Sequence, residues 1–289
     1  MKIALIQQKF HSTKEATIKK SLDMIKEAKS KNAKLIVLQE LHQLSYFCIN
    51  ENLKNFKFAD TFEEDITFWQ KVSKDYDIVL ITSLFEKRAP GIYHNSAIVF
   101  DKGAIAGKYR KMHIPDDPGF YEKFYFAPGD LGFNPISTSI GKLGVLICWD
   151  QWFVEAARIM ALKGAQILIY PTAIGWFDED EESEKKRQLD AWITIQRGHA
   201  IANGIPLVAV NRVGFEKDDS NCLSGIRFWG NSFVVGSMGE FLAVASNDRE
   251  EVLVVDIDLK KSEETRQIWP FFRDRRVDEY RCLLKRYCD

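Results

Sequence analysis

The chain has 289 residues, with 40 basic and 41 acidic side chains and a formal net charge of -1. That length supports one large or two smaller domains with a substantial core, and the charge balance excludes a global field built to attract nucleic acid or an anionic membrane. Five cysteines (Cys48, Cys148, Cys222, Cys282, Cys288) are odd in number and lack CxxC spacing, and the five histidines show no metal-ligand spacing; reduced thiols in a cytoplasmic protein without a zinc centre are the expectation.

The opening MKIALIQQKF runs into a strand-like segment with no long apolar leader, and no apolar run approaches membrane-spanning length, so neither secretion nor membrane insertion is expected. Glu15 to Lys29 places Ile18, Leu22, Ile25 and Ala28 on one face with lysines opposite, the pattern of an amphipathic helix. Lys34 to Gln39 returns to a continuous apolar strand. This β-α-β opening points to a layered α/β architecture. Glu40 follows at once. A carboxylate at the end of a buried strand is poorly solvated and suited to exchange protons near neutrality; a surface loop carboxylate is the plainer reading.

Glu64 to Asp75 carries another helical pattern, Ile78 to Glu86 a strand, and His94 to Asp101 and Ala104 to Tyr109 a pair of strands joined by a DKG turn. Residues 107–130, GKYRKMHIPDDPGFYEKFYFAPGD, read as a long loop by their Pro and Gly spacing. Long loops crowded with aromatics and charges tend to be functional. Lys111 is a candidate cation for a developing oxyanion and Glu122 a carboxylate holding it, against a pair of surface charges in a bulky loop.

Residues 141–158, GKLGVLICWDQWFVEAAR, are the stretch around which the chain is organised. An apolar run delivers Cys148 and gives way to a helical period, Phe153, Ala156, Ala157, Met160, which predicts strand, sharp turn and helix. A thiol beside a helix N-terminus is expected to be more acidic than a free one and to serve as a nucleophile; the alternative is a buried core cysteine. GAQILIYPTAIGW (164–176) is a further buried strand, and the acidic run Asp178 to Glu184 precedes a helix from Lys186 to Ala202. Those acids complement a helix macrodipole, or stand at a strand end where open α/β sheets bind ligands. Pro206 to Gly214 is another strand. SFVVGSMGEFLAVAS and EVLVVDIDL supply three more, with Ser237 to Glu240 as a hairpin turn. The end, rich in aromatics and arginines, is expected to be docked on something.

Together the segments LIVLQEL around Glu40, KYRKMHIP around Lys111, GVLICWDQWFVEAAR around Cys148, YPTAIG, and FRDRRVDEY resemble the nitrilase (carbon-nitrogen hydrolase) superfamily, and the resemblance runs from the first strand to the tail. It implies an α/β fold, a four-layer α-β-β-α sandwich of the nitrilase type, over residues 1–289 as a single domain, with 260–289 as a C-terminal segment at the subunit interface of a dimer or higher oligomer. It further implies Cys148 as nucleophile, Glu40 as general base and acid, Lys111 as oxyanion stabiliser, and Glu122 as the glutamate that orients them, with no metal or organic cofactor. Tyr46, Asp117, Trp149, Trp152, Ala173 and Asp178 are the expected substrate-binding residues. One departure is Val154, where the family usually has proline at the helix start.

Within the superfamily the chain is most similar to the branch that hydrolyses N-carbamoylputrescine. Members that cleave carbamoyl amino acids carry an arginine at the positions of Gln151 or Trp152, where its fork grips a carboxylate. Here Gln151 and Trp152 offer neutral hydrogen bonding and a face that attracts cations, and Asp116, Asp117 or the run from Asp178 could receive an ammonium. The expected partner is thus a small carbamoylated amine, with no nucleic acid or membrane. The competing readings are a β-ureidopropionase or other aliphatic amidase, a Cys-His hydrolase using His113 or His199, and a binding protein of the same fold without chemistry.

Overall fold

A computed structural model describes residues 1–288 of the chain. Its first sheet has six strands in the order β15-β1-β2-β3-β4-β5, formed by β1 (Lys2–Gln7), β2 (Leu35–Leu38), β3 (Val79–Ala89), β4 (Ile92–Asp101), β5 (Ala104–Arg110) and β15 (Glu251–Asp256). The second, ordered β14-β13-β10-β8-β7-β6, comprises β6 (Ile136–Thr138), β7 (Gly141–Val145), β8 (Ile167–Pro171), β10 (Leu207–Val210), β13 (Phe233–Val235) and β14 (Phe241–Val244). Helices α1 (Lys14–Ser30) and α2 (Phe62–Asp75) pack on the first sheet, and α4 (Val154–Leu162) and α5 (Glu182–Asn203) on the second. A one-turn α3 (Glu122–Tyr125) and α6 (Leu259–Ile268) complete the helices.

Strand periodicity explains the layers. Side chains alternate between sheet faces, so Ile3 and Leu5 of β1 join the core between the sheets while Ala4 and Ile6 join the core under α1 and α2. The same division sends Val79, Ile81, Ala97 and Val99 inward and Leu80, Ile98 and Phe100 outward. Burial on both faces is why these strands read as continuous apolar runs. Leu143, Val145, Ile167 and Ile169 meet the inner face from the second sheet. The result is the α-β-β-α sandwich expected from the sequence.

Several boundaries differ from the sequence reading. The buried stripe of α1 is Thr17, Ser21, Met24, Ile25 and Ala28, because Ser21 donates to Gln8 Oε1 (2.9 Å) and Gln8 donates to the Thr17 carbonyl (2.9 Å). Helix α5 begins inside the acidic run. The segment read as one strand to Gly214 breaks after Val210, and a third, small sheet of β9 (Gly175–Trp176), β11 (Val213–Lys217) and β12 (Gly225–Trp229) stands beside the second. β15 crosses to the first sheet and pairs antiparallel with β1. Cys48, Cys148 and Cys222 are free.

Candidate active site

The inner face of the first sheet is apolar along its length and turns polar at one end. Ser83 continues the inward series Val79, Ile81; Asn95 precedes Ala97, Val99; and Lys111 follows Tyr109 by two residues. Glu40, just past β2, stands at the same end, its backbone N–H donating to the Thr172 carbonyl beyond β8 at 3.3 Å. All five of these side chains, Thr172 included, are fully buried. Buried polar groups of this kind require partners; Ser83, Asn95, Glu40 and Lys111 find them in one another, and the Thr172 hydroxyl in Gln151 and the Tyr170 carbonyl. Lys111 Nζ donates to Glu40 Oε1 (2.8 Å) and to Glu122 Oε2 (2.6 Å), and the Tyr46 hydroxyl donates to Glu122 Oε1 (2.8 Å).

Glu122 reaches this cluster from α3, the single helical turn within the segment read as a loop. The segment folds back on β5, with Gly129 donating its N–H to the Lys111 carbonyl at 2.8 Å. A Cβ on Gly129 would stand 2.0 Å from the Arg110 carbonyl oxygen. Only glycine permits that approach.

Cys148 opens a 3-10 turn, Cys148–Trp152, between β7 and α4, and has φ 41°. A non-glycine residue in the left-handed region is strained by about 1–3 kcal/mol and persists only when its surroundings hold it. Asp150 does the holding. Its carboxylate accepts the Ile147 N–H (3.0 Å), the Tyr109 hydroxyl (2.8 Å), and the His113 N–H (3.0 Å) and Nδ1 (2.7 Å). The Sγ of Cys148 lies 3.8 Å from the Ala173 carbonyl oxygen.

The electrostatics correct one expectation. Burial, then the Glu40 charge, pushes the Cys148 thiol well above the usual value, although Lys111 pulls it down. The turn is too short and too enclosed for a helix dipole to offset desolvation, so the resting group is a thiol and requires a base. Burial also pulls the Lys111 ammonium down, but the carboxylates of Glu122 and Glu40 outweigh it and hold it well above the ordinary lysine value. Glu122 is raised to about 7, chiefly by burial, with Lys111 opposing and Glu40 adding to the rise.

A cavity of about 530 Å³ opens onto Cys148 and Glu122. Trp149, Trp152 and Ala173 line it near the nucleophile, and Phe120, Trp176, Phe177 and Trp229 add aromatic walls. Its carboxylates are Asp117, Asp180 and Glu184, and Arg187 stands among them, paired with Glu184 at 2.6 Å. Three expectations need correcting here. Asp178 is not among the lining residues, since Arg227 holds it in a two-pronged pair at 2.6 Å for each contact. Tyr46 lies behind Glu122 and not on the cavity wall. Gln151 is buried, with Thr172 Oγ1 donating to its Oε1 at 3.3 Å. Asp180 and Glu184 belong to the acidic run offered as a site for an ammonium, without being singled out within it; Arg187, beyond that run on α5, was not expected.

Neither histidine stands as a base for Cys148. His113 is engaged by Asp150 and stacks on Phe153 with ring centroids 3.6 Å apart. His199 Nε2 bonds the Gln151 carbonyl at 2.7 Å. Among the described residues no group of three or more His, Cys, Asp or Glu is placed to hold a metal ion, and no helix is long and apolar enough to cross a membrane. Two further polar residues went unremarked in the sequence. Asn95 interrupts the inward apolar series of β4. Arg212, fully buried, donates to the carbonyls of Glu40, Leu41 and Leu44 at 3.2, 3.0 and 2.9 Å.

Comparison with known proteins shows the family and the fold. Residues 2–267 match the family model described as carbon-nitrogen hydrolase. The chain is 45% identical over 264 residues to an N-carbamoylputrescine amidase of Arabidopsis thaliana, covering 90% of this chain and 87% of that protein. It is 38% identical to a citrullinase of Francisella tularensis over 99% of both chains. The crystal structure of a carbon-nitrogen hydrolase from Helicobacter pylori superposes with a TM-score of 0.98 at 58% identity, covering 100% of this chain and 99% of that one.

Proposed function

The chain belongs to the carbon-nitrogen hydrolase family, and from that premise we propose that it hydrolyses N-carbamoylputrescine to putrescine, ammonia and carbon dioxide through an intermediate covalently linked to Cys148. The observation that carries the proposal is the cavity itself: a cysteine beside a buried Glu-Lys-Glu cluster at one part, aromatic walls suited to a tetramethylene chain, and the carboxylates of Asp117, Asp180 and Glu184 for a distal ammonium. No arginine stands at Gln151 or Trp152 to grip a carboxylate next to the nucleophile.

In this reading Glu40 takes the Cys148 proton as the sulfur attacks the carbamoyl carbon. The developing oxyanion meets the Trp149 N–H, one of the free donors at the start of a helical turn, and Lys111. An ammonium has three donors, and two of those on Lys111 are committed to Glu40 and Glu122. The third serves the oxyanion. Collapse breaks the bond to the terminal nitrogen, which leaves as ammonia with the proton from Glu40. Water then loses a proton to Glu40 and attacks the S-carbamoyl carbon; the sulfur departs and is reprotonated, and the released carbamate decomposes to amine and carbon dioxide.

A second reading follows from Arg187. Paired with Glu184 in the cavity wall, it could receive the α-carboxylate of citrulline, which shares the ureido group and carbon chain, while the acids receive its α-ammonium. Both substrates require the covalent step. Intact-mass analysis of acid-quenched reactions tests it: the enzyme is expected to gain the mass of the substrate less ammonia, the amine still attached through the carbamoyl carbon to sulfur, and Cys148→Ser to gain none while losing roughly three orders of magnitude or more in kcat. Turnover by Cys148→Ser near the parent rate would remove the cysteine from the mechanism.

A further inference from the structure

We propose that Asn95 is a positioning residue for Glu40. Together with Lys111 it occupies Oε1 of that carboxylate, so that proton exchange with Cys148 and with the attacking water runs through Oε2. This rests on the reading of Glu40 as the base.

The two oxygens of Glu40 are unlike. Oε1 accepts from Lys111 Nζ at 2.8 Å and from Asn95 Nδ2 at 2.7 Å. Oε2 is buried and has no hydrogen-bond partner among the described residues. An unpartnered carboxylate oxygen inside a protein is costly, and at this place it is the oxygen left free to take a proton.

The asymmetry is built into the strands. The Lys111 N–H donates to the Asn95 carbonyl at 2.9 Å, extending the β4 and β5 ladder by one pair beyond Ser96 and Arg110. Asn95 and Lys111 are therefore cross-strand neighbours whose side chains share the inner face, and both reach the same oxygen.

The orientation of the Asn95 amide is fixed at both ends. Ser83 Oγ receives the Leu41 N–H at 3.1 Å and donates its own proton to Asn95 Oδ1 at 3.0 Å. With the oxygen so engaged, the NH2 group must face Glu40. The reverse orientation would set an amide oxygen 2.7 Å from a carboxylate oxygen, two acceptors in contact. Leu41 completes the loop: it follows Glu40 with φ 47°, a left-handed conformation unfavourable for leucine, and is held by Ser83 at its N–H and by Arg212 at its carbonyl. The Glu40 side chain and the N–H of the residue that follows it are thus joined by one run of hydrogen bonds, Leu41 to Ser83 to Asn95 to Glu40.

The test uses alkylation of Cys148 by iodoacetamide as well as turnover, so that it does not depend on the substrate assignment. If the parent enzyme is alkylated in a Glu40-dependent way but releases no ammonia from carbamoylated amines, the substrate reading fails and this one stands to be judged alone. Asn95→Ala is expected to slow alkylation and kcat by about tenfold or more, part of the hundred- to ten-thousand-fold that a positioned base contributes, with KM little changed. The acid limb of both pH profiles should move to higher pH, because a carboxylate that loses a donor protonates more readily. Ser83→Ala should move the limb the same way by less, and Ser83→Thr should restore it. An Asn95→Ala enzyme that folds and keeps the parent's rate and acid limb overturns the proposal. If Asn95→Ala does not fold, an unchanged limb in folded Ser83→Ala overturns it equally.

Discussion

Lys111 and Glu122 form an ion pair between two fully buried side chains, with Nζ 2.6 Å from Oε2. Both charges were taken out of water for it, and neither partner can be removed without leaving the other exposed to a low-dielectric interior. The pair places the ammonium against Glu40 and beside Cys148. It also couples the site to pH.

Glu122 is raised to about 7 by burial foremost, with Glu40 adding and Lys111 opposing. Two carboxylates and one ammonium share the cluster, so the proton taken up belongs to the group as a whole. As pH falls through about 7 that proton cancels charge needed by the base, so kcat/KM is expected to be level above this pH and to drop about tenfold per unit well below it. Glu122→Gln removes a like charge beside Glu40. Its residual activity should be far lower and its acid limb displaced to lower pH; a limb that stays near 7 would place the titrating group outside the cluster.

Glu86 supports the site from the other face of the first sheet. It accepts from Arg110 at 2.9 and 2.6 Å, from Lys108 at 2.5 Å and from Ser96 at 2.5 Å. Burial pushes its carboxyl up, but Arg110, Lys108 and Ser96 prevail and hold it at about 2, against an ordinary 4.5. A depressed folded value means stability that is present above the unfolded value and lost as pH falls through the folded one. Glu86→Gln is therefore expected to cost about 2–3 kcal/mol at neutral pH, with the deficit shrinking between pH 4.5 and 2. Urea unfolding at a series of pH values measures it. A deficit independent of pH would assign the loss to packing instead.

The C-terminal segment presents apolar side chains to solvent in the single chain: Ile268, Trp269, Leu284 and Tyr287 are 74, 51, 92 and 80% exposed. Exposed apolar area of this kind marks an interaction surface, and the proposed occupant is a second copy of the chain. Sedimentation is expected to show at least a dimer for the full chain and weakened assembly after truncation from Trp269. A full-length monomer, or unchanged assembly after truncation, would contradict this.

What was legible in the sequence follows from how locally each feature is encoded. Glu40, Lys111 and Cys148 lie in compact segments at strand ends, and those segments carry the family resemblance; Glu122 lies in the loop after β5. The inward face of the first sheet was not marked by a period of two, because strands buried on both faces read as continuous apolar runs, and Asn95 lies within YHNSAIVF. It was passed over because a polar stretch near the start of a strand, His94 to Ser96, looks like an edge effect until the partner of Asn95, Glu40 55 positions away, is in place. Arg212 bonds residues 168 to 172 positions distant, beyond any local signal. The depth of Cys148 misled in the other direction, since a helix start was visible in sequence and the enclosure that raises the thiol was not. Asp178 and Glu184 belong to one acidic run and could not be told apart before β12 supplied Arg227 to bind the first of them.

A cavity that takes a carbamoylated amine with a cationic far end is tested by ammonia release scored as kcat/KM for three substrates side by side. N-carbamoylputrescine is expected to be the best, citrulline weaker because its carboxylate must compete with Glu184 for Arg187, and N-carbamoyl-β-alanine the poorest because it offers a carboxylate and no cation to Asp117, Asp180 and Glu184. Preference for citrulline would move the assignment to the second reading, and preference for N-carbamoyl-β-alanine would contradict the account.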